Sequence, residues 1–69
     1  MLTMAEAKSA WKNQTPVYYT SPLAIKPIKC SIRSIKFVIE DGKELTELEL
    51  RQSKNSIITT DPMYVSIEP

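Results

Sequence analysis

Between Ile28 and Glu40 the alternation of apolar and polar residues changes phase in mid-strand, and no other feature constrains the fold as much. Ile28, Cys30 and Ile32 recur at every second position, and Ile35, Phe37 and Ile39 do the same one step out of phase. Successive side chains of a strand point to opposite faces, so a straight strand cannot offer both sets to one core. One extra residue near Arg33-Ser34 brings the two sets onto the same side. That is a β-bulge, which bends a strand and increases its twist.

Around this bent strand the other elements are short. Thr3 stands at an N-cap position with Glu6 three residues later, a capping box that starts a helix over about residues 4–12. Leu2 is placed to staple onto Ala7, and Met4, Ala7 and Trp11 form an apolar stripe at helical spacing. So short a helix hardly persists alone in water, and Trp11 is the expected docking anchor. Pro16 ends it. Val17 to Thr20 is β-branched and aromatic and predicts a first strand. Leu23 to Pro27 lies between prolines, which keep it from being a central strand.

After the long strand, Asp41-Gly42 is a strong hairpin signal. A four-residue loop over Asp41 to Glu44 pairs Ile39 with Thr46, Phe37 with Leu48 and Ile35 with Leu50. A two-residue loop pairs Ile35 with Leu48 and Val38 with Leu45 instead. The longer loop aligns more apolar pairs and is the preferred reading; in either register Lys36 faces a glutamate, Glu49 or Glu47. Gln52 to Asn55 is a polar turn, Ser56 to Thr60 a fourth strand, Asp61-Pro62-Met63 a tight turn, and Tyr64 to Ile67 a closing strand.

The expected fold is therefore mostly β with one short N-terminal helix, a single domain over residues 1–69. It is either a five-stranded small barrel or a strongly bent antiparallel sheet, since a small sheet closes only where a strand is coiled or bulged. The order of elements looks like the SH3-like small barrels with an added N-terminal helix. The succession of that helix, "PVYY", a basic strand, "EDGKELTELELRQSKNSIITTDP" and "VSIEP" is similar to small uncharacterised proteins from mobile elements of Gram-positive bacteria. The resemblance implies an accessory role and no assigned chemistry.

Composition narrows the function classes. The chain has 69 residues, one cysteine and no histidine, so neither an intramolecular disulfide nor a tetrahedral Cys/His zinc site can hold it together. General acid–base catalysis most often uses histidine, and the one glycine, Gly42, excludes a Gly-rich phosphate loop. Cys30 shares the alternation of its aliphatic neighbours, which points it inward as a core residue rather than a nucleophile. Glu47 and Glu49 fit the wet side of a half-buried strand better than a paired acid site. The chain is expected not to be an enzyme and to need no cofactor or metal.

Glu6 and Lys8 interrupt the apolar run a signal peptide needs, and nothing approaches the ~20 apolar residues that span a bilayer. The ends at Met1 and Pro69 are compatible with a complete gene product. With one unpaired cysteine, a soluble protein of the reducing cytoplasm is the expectation.

Charge is divided. Residues 1–39 carry six cations and one acid, whereas residues 40–69 carry three cations and seven acids. The two halves are expected to pair across a sheet. The candidate binding surface is Tyr18, Tyr19, Lys26, Lys29, Arg33 and Lys36. Tyr18 and Tyr19 are adjacent, so one faces the core and the other is a candidate aromatic anchor for a protein partner. The four cations carry no acid among them and, with the tyrosines, suit phosphate contact and base stacking. Two functions follow: a non-enzymatic module that binds another protein and, as the alternative, a nucleic-acid-binding small barrel using the basic strand around 26–36.

Overall fold

A computed structural model of the chain describes residues 1–23 and 26–69. Its elements run α1 (Met4–Asn13), β1 (Val17–Tyr19), β2 (Ile28–Glu40), β3 (Lys43–Ser53), β4 (Ser56–Thr60), a 3₁₀ turn (Pro62–Tyr64) and β5 (Val65–Ser66). The stretch Leu23 to Pro27 includes residues 24 and 25, which lie outside the described residues. The five strands form one antiparallel sheet in the order β4-β3-β2-β1-β5. The sheet does not close into a barrel. Of the two expected outcomes, the strongly bent sheet is the one taken.

The bend sits where the phase shift places it. β2 pairs with β1 over Ile28 to Cys30 and with β3 from Ser31 to Glu40, and its register with β3 slips between Ile32 and Ser34. Arg33 is the extra residue. Ile32 consequently opposes Leu50, and Ile35 opposes Leu48, on one side of the sheet. Ile32, Leu48 and Leu50 are fully buried, and Ile35 is half-buried against them.

The β2–β3 loop corrects the preferred register. Asp41 and Gly42 alone form the turn, both at positive φ (52° and 76°), and Glu40 faces Lys43. A turn of this hand matches the twist of the flanking strands, whereas a longer loop gives up that match. The pairs Phe37–Leu48 and Ile35–Leu50 are not formed; Ile35 meets Leu48 and Val38 meets Leu45.

Helix α1 starts on the expected capping box: the Thr3 hydroxyl accepts from the Glu6 amide and the Glu6 carboxylate accepts from the Thr3 amide. Its buried face is Ala7 and Ala10, with Leu2 beside them, rather than the stripe ending at Trp11. Trp11 is 42% exposed and does not anchor the helix. Two alanines let the helix backbone lie close to Val17, Cys30 and Ile32, which a tryptophan in the same place would prevent. At the other end Gln14 takes a left-handed conformation (φ 53°), and its side-chain amide donates to the carbonyls of Trp11 at 2.7 Å and Ile32 at 3.2 Å. This ties the helix end to β2 beside the bulge.

The 3₁₀ turn replaces a simple tight turn. The Asp61 carboxylate caps it by accepting from the Met63 amide at 2.8 Å, with Pro62 in its first turn. Backbone bonds from Leu2 to Pro62 and from Thr20 to Tyr64 draw the chain start and the end of β1 onto it. Cys30 is buried, and burial pushes its thiol pKa up, which disfavours the thiolate. No helix of the described residues is long and apolar enough to cross a membrane.

Candidate functional site

The core does not extend to the end of the long hairpin. β4 reaches only to the pair Leu48–Thr60, and β1 pairs with β2 only as far as Cys30. From Lys36 to Glu47 the hairpin is thus a two-stranded ribbon among the described residues. The bulge does bring Phe37 and Ile39 to the same side as Ile32 and Ile35, as the sequence predicts. Among the described residues they stay mostly uncovered there: Phe37 is 57% exposed and Ile39 is 81% exposed. Their cross-strand neighbours on that side are Thr46 and Glu44; Glu40 points to the other side, where it faces Lys43. The uncovered side of the ribbon is an apolar strip beside one acid, Glu44. Phe37 and Ile39 are functional candidates that sequence periodicity assigns to the core instead, because it reports the face of a strand and not where the covering layer stops.

On the opposite side of the hairpin the predicted cations meet an acid. Arg33 and Lys36 both pair with Glu49, at 3.4 Å and 3.0 Å. The Ser34 hydroxyl, directly across from Glu49, donates to the same carboxylate at 2.5 Å. The Ser34 hydroxyl first and the Lys36 ammonium second hold the Glu49 carboxyl below its usual range. Lys36 stands opposite Glu47 in register but reaches diagonally to Glu49. The expected pairing between the basic and acidic halves therefore takes place here, and half of the predicted cationic set is spent on it.

Lys26 and Lys29 are exposed and form no ion pair among the described residues. Lys29 opposes Tyr18 across β1–β2, and Tyr18 opposes Ser66 of β5 on its other side. Tyr19 packs against the core, and Tyr18 lies on the outer face; both are half-buried. The six predicted residues do not form one surface.

A different grouping does converge. Gln14, Ser31, Ile32, Arg33 and Arg51 line a shallow cleft of about 220 Å³ over the bend of β2. A neighbouring hollow of about 270 Å³ shares Gln14, Ser31 and Arg51 and adds Lys29 and Gln52. Arg51 faces Ser31 in register, although in the sequence it lies in the acidic half. The cleft is polar, open and cationic, with Lys29, Arg33 and Arg51 around it. Among the described residues no cluster of His, Cys, Asp or Glu has the makings of a metal site.

The chain matches no protein-family model, no curated protein and no solved structure.

Proposed function

We propose that the protein is a non-enzymatic binding module that holds an apolar segment of another protein, with a cation near Glu44, against the uncovered side of the β2–β3 ribbon. One observation carries this reading: Phe37 and Ile39 are presented side by side on a hydrogen-bonded ribbon and remain mostly exposed. Large apolar side chains grouped on a rigid element favour a partner, because covering them removes apolar surface from water. Glu44, across from Ile39 on the same side, favours a cation on the partner and speaks against a polyanion at the same place. In this reading the protein works in the cytoplasm as an accessory factor, and the SH3-like and mobile-element resemblances are consistent with such a role.

The second reading keeps nucleic acid at the cleft of Lys29, Arg33 and Arg51, with Tyr18 beside Lys29 as a stacking surface. It is weaker because Glu49 neutralises part of that charge.

The two readings separate in one set of variants. Phe37→Ser with Ile39→Ser leaves the core intact, since both side chains are exposed, and is expected to abolish cross-linked capture of the protein partner from native cells. Lys29→Glu with Arg51→Glu is expected to leave that capture unchanged. An unaltered partner set in the Phe37/Ile39 variant would overturn the first reading. A DNA or RNA mobility shift that weakens steeply with salt and disappears in the Lys29/Arg51 variant would establish the second.

A further inference from the structure

Among the described residues the sheet has four stretches of open edge, and three of them are blunted; the free side of β3 from Lys43 to Glu47 carries Lys43, Glu44 and Glu47. β5 is only two residues long and runs toward Pro69. The free side of β2 beyond Cys30 carries the Gln14 cap on Ile32, the bulge at Arg33, and Lys36. Short strands, bulges and edge lysines are the devices by which sheets avoid pairing with other chains.

β4 has none of them. Ser56-Ile57-Ile58-Thr59-Thr60 is uncharged, free of proline and without an internal bulge, and among the described residues no strand pairs with its outer side. Ile57 is 42% exposed beside an exposed Thr59. Its ends are oppositely charged, with Lys54 in the turn before the strand and Asp61 just after it.

From this contrast we infer that β4 is a self-association edge, pairing antiparallel with β4 of a second copy about a two-fold axis at Ile58. That register sets Ile58 against its own copy, Ile57 against Thr59 on either side, and Asn55 against Asp61. Lys54 of each chain then lies next to Asp61 of the other. The charges meet twice by symmetry, and the central pairs are β-branched, the type that stabilises neighbouring strands. A second copy fits better than a strand of unrelated sequence because both end charges and the uncharged centre are complementary to themselves. The edge is separate from the Phe37–Ile39 strip, and although Ile57 stands opposite Arg51 of the cleft, the pairing uses the backbone on the far side of β4, so it stands or falls independently of the proposed function.

Five residues of strand bury well under the ~800 Å² per partner of a standard interface, so the association is weak and depends on concentration. Sedimentation equilibrium from low micromolar to millimolar protein is expected to show the 7.8 kDa chain approaching twice its mass at the upper end. Ile57→Lys places an ammonium on the exposed edge and is expected to weaken the dimer about tenfold or more. Lys54→Glu is expected to weaken it as well, and high salt to remove the difference between Lys54→Glu and the parent. Amide exchange at residues 56–60 should slow as concentration rises in the parent and not in Ile57→Lys. A chain that stays monomeric to millimolar concentration, or a dimer indifferent to both substitutions, would overturn the inference.

Discussion

Ile32 and Ile39 share a strand, a residue type and a face, yet their truncations should differ several-fold in cost. Ile→Ala removes three carbons, worth about 0.8 kcal/mol each when fully buried, or roughly 2.4 kcal/mol. Ile32 is fully buried among Leu48, Leu50 and Val17, so a cavity adds to this transfer cost and the expected loss is about 3–4 kcal/mol. Ile39 is 81% exposed, and only about one-fifth of the transfer cost applies, near 0.5 kcal/mol. A chain of 69 residues has a total stability of roughly 3.5–10 kcal/mol, so Ile32→Ala should leave the domain close to unfolding. Urea titration followed by far-ultraviolet circular dichroism and by Trp11 fluorescence measures both losses, with an unchanged slope confirming that the same transition is compared. Equal losses at the two sites would refute the claim that the core ends at Ile35. A loss below about 1 kcal/mol at Ile32 would refute the bulge as the device that brings it inside.

Other substitutions test the local chemistry. Thr3→Ala removes the N-cap acceptor and should cost about 1 kcal/mol in thermal denaturation. Gly42→Ala should cost about 1 kcal/mol in urea titration through its positive φ alone, because an added Cβ meets no atom within 4 Å. Glu49 binds its proton more weakly in the folded chain than in the unfolded one. Its stabilising contribution is complete above the usual carboxyl value of 4.5 and is lost as pH falls through the lower folded value. Glu49→Gln should therefore destabilise at neutral pH, with the difference from the parent narrowing as denaturation is repeated in increasingly acid buffer.

Much of the architecture follows from local pattern. The Thr3–Glu6 capping box, the bulge near Arg33 and the uncharged β4 are chemically specified within a few residues, and short-range rules reach them; the same rules place a turn at Asp41-Gly42 but favour four residues where the chain uses two. The phase shift alone requires the long strand to bend. What lies beyond that reach depends on where a second layer ends. Periodicity assigns Phe37 and Ile39 to the face of the core, but the lengths of β4 and β1 leave them mostly uncovered among the described residues. The helix face is a further case: Trp11 is the larger apolar group, yet close packing on β2 favours Ala7 and Ala10. Arg51 joins Lys29 and Arg33 because the register of two strands sets it opposite Ser31, and Glu49 neutralises Arg33 and Lys36 for the same reason. Side-chain type and spacing decide which way a residue points; only the packed chain decides what it meets there.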